Sequence, residues 1–165
     1  MRSTGQLPAA VALFVLAASA VAAPLAGEAP ETRAVLVAEA ASRADPVVFD
    51  NGNVYVVYTP AGSAPILRIE RRTRITAITT YHWNDGHGAD PGFIGLVDSR
   101  GRIFGPWGAD GSPGQGGVRD AYWTVRPNIT LSAGSYTVID SDPDSWANNE
   151  ATGGAGMVRV EGRVR

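Results

Sequence analysis

The stretch Val158–Val164 (VRVEGRV) decides the fold class of this chain. Its valines Val158, Val160 and Val164 fall on even positions, while two arginines and a glutamate occupy the odd positions between them. Side chains of a β-strand point to opposite faces at successive residues, so this alternation is the period of a strand with one face in solvent. The segment predicts a β-strand with one apolar face directed toward a core.

Six further segments of the same character precede it. They are rich in Val, Ile, Thr and Tyr and lie between clusters of Gly, Pro, Asn and Asp, which form turns. In one of them, residues 135–140, bulky side chains fall on both faces, which is typical of a central strand. The predicted strands are residues 54–58, 66–70, 75–83, 93–97, 122–126, 135–140 and 158–164. This spacing predicts an all-β, antiparallel β-sandwich or jelly-roll-like single domain.

The N-terminus has the pattern of a signal peptide. Arg2 is followed by an apolar segment over residues 7–20, and Ala20, Val21 and Ala22 form a small-x-small cleavage site. The apolar segment is short for a bilayer and no stop-transfer segment follows, so no membrane span is expected. We therefore predict a secreted protein, extracellular or periplasmic, with a signal peptide at 1–22, a linker or short helix at 23–46 and a β-sandwich domain at 47–165.

Composition excludes several classes of partner and chemistry. The chain of 165 residues has 14 basic side chains, all arginine, against 16 acidic ones, and its net charge of -2 gives no indication of a basic surface for nucleic acid. Cysteine is absent, which excludes disulfides, thiolate zinc sites and thiol nucleophiles. Stability must therefore come from packing or from a bound ion.

Three predicted loops hold most of the unusual residues. The first, residues 81–88, reads YHWNDGHG. The second runs from Gly105, Pro106 and Trp107 through a glycine-rich stretch at 111–117 to Trp123, and the third, residues 140–149, reads DSDPDSWANN. All four tryptophans of the chain lie in or beside these loops. If the strands form a sandwich, the loops are the places where polar and aromatic groups can meet a ligand.

These segments resemble a family of secreted bacterial β-sandwich modules that often lack an assigned activity. Its members carry a Tyr-His-Trp-Asn segment, a Gly-Pro-Trp segment and a Gly-x-Tyr-x-Val-x-Asp-Ser-Asp-Pro-x-x-Trp-x-x-Asn segment. In this chain they are residues 81–84, 105–107 and 134–148. The resemblance covers roughly residues 47–164 and implies a single sandwich domain, but it implies no particular reaction.

The third loop has two interpretations. Asp140, Asp142 and Asp144 alternate, so a turning backbone could direct their carboxylates at a structural calcium ion, which needs six to eight oxygen ligands. However, the pattern fails as an EF-hand loop, because Ser145 stands at the turn glycine and Ala151 at the bidentate glutamate. The other interpretation, which the sequence favours, is a turn whose Asp and Asn side chains cap their own backbone.

The sequence indicates catalysis less clearly than it indicates binding. His82 and His87 lack the i, i+4 spacing of a metalloprotease, although a nearby carboxylate could complete a two-histidine metal site. Loop carboxylates could serve a secreted hydrolase, yet nothing in the sequence pairs them. Ser141 and Ser145 stand outside any nucleophile-elbow motif, and a Ser-His-Asp triad is not predicted. The chain is therefore expected to lack catalysis of its own.

The aromatic and amide side chains favour binding. Tryptophan and tyrosine rings can stack on sugar rings, while Asp and Asn bind sugar hydroxyls. We expect Trp123 to lie in the core, and Trp83 and Trp146 to be exposed at loop boundaries. The candidate ligand-binding residues are Tyr81, His82, Trp83, Asn84, Asp85, Trp107, Trp146 and Asn148.

The sequence thus predicts a secreted, non-catalytic binding module whose partner is a cell-surface or extracellular polysaccharide. The alternatives are a secreted hydrolase that uses loop carboxylates and an envelope or matrix structural protein that binds another protein. An open line of tryptophans would favour sugar, two carboxylates in one pocket would favour hydrolysis, and a broad apolar patch would favour a protein partner.

Overall fold

A computed structural model describes residues 45–165 of the chain as two antiparallel sheets packed face to face. The predicted signal peptide lies outside the described residues, as does the linker or helix apart from Asp45 and Pro46. The strands are β1 (Val47–Asp50), β2 (Ile66–Ile69), β3 (Thr73–Tyr81), β4 (Phe93–Asp98), β5 (Ile103–Gly108), β6 (Asp110–Ser112), β7 (Tyr122–Val125), β8 (Ile129–Leu131), β9 (Gly134–Asp140) and β10 (Val158–Val164). Three short 3-10 helices connect them, at Asn84–Gly86, Gln115–Gly117 and Glu150–Thr152.

The first sheet has the order β1-β10-β3-β7-β6, with β8 also paired to β3, and the second has the order β2-β9-β4-β5. Their inner faces meet in a core that contains Leu67, Ile78, Trp123, Val138 and Val160, each at most 1% exposed. The all-β antiparallel sandwich predicted from the sequence is therefore confirmed. Among residues 45–165, no helix is long and apolar enough to cross a membrane.

Two details of the strand prediction are wrong. Residues 54–58 form a loop with a single bridge from Tyr58 to Asn148, because asparagine side chains bind the carbonyl groups that a neighbouring strand would otherwise bind. Val164 is 55% exposed, since it lies at the last position of the β10–β3 ladder, beyond a register shift between Glu161 and Gly162. By contrast, β9 is a central strand, as its two-faced bulky residues predicted.

Strands β1, β5, β6 and β8 were not anticipated. Strand β5 (IFGPWG) carries Gly or Pro at three positions, β6 (DGS) has a central glycine, and β6 and β8 have only three residues each. Such residues normally indicate turns, so their pairing depends on neighbouring strands that the local sequence does not reveal.

The strands define two ends of the sandwich. At the loop end, β3 finishes at Tyr81 and β9 at Asp140, close to where β7 begins at Tyr122. At the opposite end, β9 begins at Gly134, paired with Ile69, and β3 begins at Thr73, paired with Leu131. The loops singled out from the sequence at residues 81–88 and 140–149 both lie at the loop end.

Candidate functional site

A buried polar network lies at the loop end, centred on His82. The imidazole follows directly after β3 and is fully buried, and it stacks on the indole of Trp123 with ring centroids 3.7 Å apart. Its Nδ1 lies 2.8 Å from the Ser145 hydroxyl, and its Nε2 lies 2.9 Å from the Thr80 hydroxyl and 3.2 Å from Asp140 Oδ2. Both ring nitrogens are therefore satisfied within the protein, as burial of a polar ring requires.

The position of one proton follows from the geometry of Ser145. Its hydroxyl lies 2.6 Å from Asp142 Oδ2, and a carboxylate can only accept, so the serine proton is donated to Asp142. The Ser145 oxygen is then free to accept from the ring, which places a proton on His82 Nδ1. On the other side, Nε2 of the neutral ring can accept from Thr80, and a protonated ring can donate to Asp140.

The turn after β9 is shaped by its own side chains. Asp140 Oδ1 accepts the backbone N–H of Asp142 at 2.9 Å, while Oδ2 of the same carboxylate faces His82. This bond across two residues is an Asx turn, the local chemistry expected when Asp follows a strand. The turn brings Ser145 back beneath Asp142 and so connects the β9 loop to the end of β3.

The network contains the residue types of a Ser-His-Asp triad, but its geometry is that of a structural link. A nucleophilic serine must reach a substrate and pass its proton to the histidine. Ser145 is only 4% exposed, and its proton is directed at Asp142 rather than at His82. The loop carboxylates Asp140 and Asp142 contact protein groups of the turn and of the network.

Two buried asparagines hold a further loop, residues 51–62, against the network. Asn148 Nδ2 donates to the carbonyl groups of Tyr58 and Pro60 at 2.9 and 2.8 Å. Asn149 Nδ2 donates to Asn53 Oδ1 at 2.7 Å, and its side-chain oxygen caps the 3-10 helix Glu150–Thr152. These hydrogen bonds hold the backbone of the loop at several points, although the loop contributes no strand to either sheet.

This asparagine-held loop presents two aromatic side chains to solvent. Tyr55 is 63% exposed and Tyr58 is 62% exposed, whereas Val57 between them is buried against Tyr81 and Met157. The sequence analysis did not name these tyrosines, because it assigned residues 54–58 to a strand. The two tyrosines are three residues apart, with Val56 and Val57 between them, so the local pattern does not place them on one face. Only the tertiary position of the loop leaves both rings open to solvent.

Several predicted ligand-binding residues are buried instead. Trp146 was expected to be exposed, and this is wrong: it is 2% exposed and its indole N–H donates to the Met157 carbonyl at 2.8 Å. Tyr81 is fully buried and stacks on Tyr122 at 5.0 Å, and burial raises the pKa of both phenols. Together with His82 and Asn148, these side chains support the loops without forming an open surface. Trp123 lies in the core, as predicted.

The remaining predicted residues are at least partly open. Trp83 is half-buried and packs against the same apolar cluster as Val57, while Asp85 is exposed. Asn84 adopts a positive φ of 46° and donates through Nδ2 to the Gly88 carbonyl at 2.9 Å. Trp107 lies on β5 opposite Ile94 and is half-buried against the core. The structure therefore shows no flat row of exposed tryptophans within residues 45–165.

The calcium interpretation of the third loop finds little geometric support. Asp140 Oδ1 accepts the Asp142 N–H, its Oδ2 lies 3.2 Å from His82 Nε2, and Asp142 Oδ2 accepts from Ser145, while Asp144 is exposed. Across the described part of the chain, no three His, Asp or Glu side chains come together in a way that could hold a metal ion. The arrangement matches the self-capping turn, and calcium binding itself stays a prediction.

Comparison with known proteins adds no relative: no protein-family model, curated protein or solved structure matches this chain. The resemblance drawn from its three loop segments therefore also stays a prediction.

Proposed function

We propose that the protein is a secreted, non-catalytic binding module for a cell-surface or extracellular polysaccharide. The observation that carries this proposal is the exposure of Tyr55 and Tyr58 on a loop whose backbone is held by Asn148 and Asn149. Trp83, Asn84 and Asp85 extend the same end of the sandwich.

The hydrogen bonds to Asn148 and Asn149 preorganise this loop for binding. Binding through a mobile loop loses affinity to the entropy of ordering it, and a loop that is already held avoids that cost. Tyrosine supplies a rigid, amphipathic contact area with few rotatable bonds, whose ring can stack on a sugar while its hydroxyl bonds to one. A held loop with two tyrosines more than half exposed therefore suits a sugar ligand.

The test is binding of the purified domain to insoluble cellulose, chitin, xylan and β-glucan, measured by depletion from solution. We expect retention on at least one polymer and a loss of about tenfold in affinity in Tyr58→Ala, as for removal of a stacking contact of about 1.4 kcal/mol. Val54→Ala is the matched control, because Val54 is 42% exposed in the same loop but cannot stack. Binding to none of the polymers, or an equal loss in the control, would contradict the proposal.

Calcium is tested separately by thermal unfolding in calcium chloride and in EDTA. Because the carboxylates of Asp140 and Asp142 are already bound to protein groups, we expect equal melting temperatures in the two solutions. A rise with calcium that Asp144→Ala abolishes would establish the ion site at Asp140, Asp142 and Asp144, since ligand bound only to the folded state raises stability.

A second candidate, binding to an envelope or matrix protein, is favoured by the outer face of the second sheet. One cross-strand row contains Ile66, Thr137, Val97 and Ile103, of which Ile66 is 62% and Ile103 59% exposed. Exposed apolar faces of this kind are typical of protein contacts. A photo-crosslinking residue at position 66 should then give one discrete protein adduct in the producing cells, and one at the exposed Thr130 should not. No adduct at position 66 would remove this candidate.

A further inference from the structure

The net charge of -2 conceals a separation of charge along the strand direction. Among residues 45–165, the loops of the loop end carry one arginine, Arg119, and seven acidic side chains, which are Asp85, Asp90, Asp120, Asp140, Asp142, Asp144 and Glu150. At the opposite end the balance is reversed, with three acidic residues, Asp45, Glu70 and Asp98. The eight arginines there are Arg68, Arg71, Arg72, Arg74, Arg100, Arg102, Arg163 and Arg165. We call this end of the sandwich the arginine end.

Strand pairing explains why arginines distant in sequence meet there. The β2–β3 turn holds Arg71 and Arg72, and it lies beside the residues 132–134 turn, because Ile69 pairs with Gly134 and Thr73 with Leu131. The β4–β5 turn holds Arg100 and Arg102, and it reaches the same place because Asp98 pairs with Tyr136. Net charge alone cannot reveal such a cluster, since it sums over both ends of the molecule.

Most of this positive charge is uncompensated by nearby carboxylates. Arg163 pairs with Asp45, and Arg68 lies 3.9 Å from Glu70. Within residues 45–165, no carboxylate forms an ion pair with Arg71, Arg72, Arg100, Arg102 or Arg165. Guanidinium groups that stay charged and lack a protein anion are available to an external one.

A cleft of about 410 Å³ opens at the arginine end. Arg100 and Arg102 border it, and hydroxyl-bearing side chains from Ser99, Thr130, Ser132 and Ser135 line it. The Arg102 guanidinium lies 4.7 Å over the Phe104 ring, which in turn packs edge-on to Tyr136 at 5.8 Å. The cleft thus combines cations, hydroxyl groups and an aromatic ring in a concave site.

The turn that carries the two arginines is held rigidly. Asp98 Oδ1 accepts the backbone N–H groups of Arg100 and Arg102, each at 2.9 Å, and Gly101 donates to the Asp98 carbonyl at 2.9 Å. One oxygen of the carboxylate that borders the cleft, Asp98 Oδ1, is therefore bound within the turn, and these hydrogen bonds position the backbone from which the two arginine side chains project.

We propose that this cleft binds an anionic sugar unit, a uronate or a sulfate ester, of a polysaccharide. Arginine recognises planar or tetrahedral oxyanions through several N–H donors, and the serine and threonine hydroxyls match the hydroxyl groups of a sugar ring. Nucleic acid would require an extended row of phosphate contacts, whereas the cleft is short and concave. The proposal shares its ligand class with the proposed function but concerns a different end and different residues.

The test is isothermal titration of the domain with polygalacturonate oligomers and with heparin oligomers. Fully methyl-esterified polygalacturonate is the uncharged control polymer. We expect one of the anionic oligomers to bind, with an affinity that falls as salt rises, and the methyl ester to bind at least about tenfold more weakly. The double variant Arg100→Ala/Arg102→Ala should lose at least about tenfold in affinity, while Arg119→Ala at the loop end should not.

The outcomes separate this site from the loop end. The proposal is supported if the double arginine variant loses binding of the anionic oligomer and Tyr58→Ala keeps it. The reverse pattern overturns the proposal. Equal binding of the methyl ester, or no binding of either anionic oligomer, also overturns it. The titration is repeated with duplex DNA and with phosphatidylglycerol vesicles at about 0.15 M salt. If either binds as tightly as the anionic oligomer, the cleft binds polyanions in general and the proposal of a sugar ligand is overturned. Both arginines are exposed, and a melting curve of each variant confirms that it is folded.

Discussion

At the scale of single residues, the contacts of Ser145 determine what the His82 network does. The hydroxyl connects Asp142 Oδ2 to His82 Nδ1, so removing it takes the partner from a fully buried ring nitrogen and from a partly buried carboxylate oxygen. We expect Ser145→Ala to lower the free energy of unfolding by about 1 to 3 kcal/mol, measured by urea denaturation. The exposed Ser63→Ala serves as control and should change it by less than about 0.5 kcal/mol.

The same variant separates structure from chemistry. If the network only holds the loops, folded Ser145→Ala retains the polysaccharide binding of the parent protein. A hydrolytic activity of the parent protein that disappears in this variant, while the variant remains folded, would show that Ser145 is a nucleophile after all.

Asp45 gives a prediction on pH. The Thr76 hydroxyl, followed by the guanidinium groups of Arg163 and Arg74, holds the pKa of this carboxyl below its ordinary value of 3.8. A carboxyl whose pKa is lower in the folded state contributes stability that is present above about pH 4 and is lost as the pH falls through its folded pKa. Asp45→Asn should therefore lower the melting temperature at pH 6, and the difference should shrink below pH 4.

Arg163→Gln provides the matched variant for this prediction, because it removes the partner and leaves the carboxyl in place. It should reproduce part of the same pH-dependent difference in melting temperature. A difference between Asp45→Asn and the parent protein that is unchanged from pH 6 to about pH 2 would contradict the assignment.

At the scale of elements, the approach of β10 to the third loop depends on a glycine. A Cβ on Gly156 would collide with the indole of Trp146, whose N–H is bound to the neighbouring Met157 carbonyl. The indole cannot move without breaking that bond, so we expect Gly156→Ala to cost about 1 to 3 kcal/mol in unfolding free energy.

Gly108 at the end of β5 is the matched control for this substitution. A Cβ there meets no atom within 4 Å, and the backbone does not have a positive φ. Gly108→Ala should thus change the unfolding free energy by no more than about 0.5 kcal/mol in chemical denaturation. Equal effects of the two alanines would show that Trp146 can be displaced freely.

The strand prediction succeeded for some secondary-structure elements and failed for others, depending on how regular their local pattern is. Segments with regular alternation or dense β-branched residues, such as Ile66–Ile69 and Gly134–Asp140, form strands as predicted. The strand β5 contains Gly105 and Pro106 and was not predicted, because its hydrogen bonds are made with β4, whose position is a property of the sheet. Residues 54–58 are the opposite case: a strand was predicted, but they form a loop whose carbonyl groups are bound by the distant Asn148 and Asn149.

At the scale of the whole molecule, the prediction of secretion is tested by the mature N-terminus. Cleavage after Ala22 would give a chain that begins at Ala23, as the small-x-small pattern of residues 20–22 requires. Mass spectrometry of the protein recovered from the medium or periplasm should show this terminus. An intact Met1 on protein confined to the cytoplasm would contradict the prediction.

The distribution of charge is likewise a property of the whole molecule. The sequence shows only that arginine and acidic residues nearly balance. Folding brings Arg71, Arg72, Arg100 and Arg102 to one end, because antiparallel strands return the chain to the same end at every second connection.

The fold class could be read from the sequence, since alternation of side chains along a strand is local and its period survives in any antiparallel sheet. The predicted burial of Trp123 is also confirmed, because that residue lies on the inner face of the regular strand β7. The roles of His82, Ser145 and Trp146 could not be read in this way. The contact between His82 and Ser145, and the one between Asn148 and the loop that carries Tyr58, join segments more than 60 residues apart, which only the packing of the two sheets brings together. Trp146 is bound to Met157, 11 residues away, where the chain enters β10.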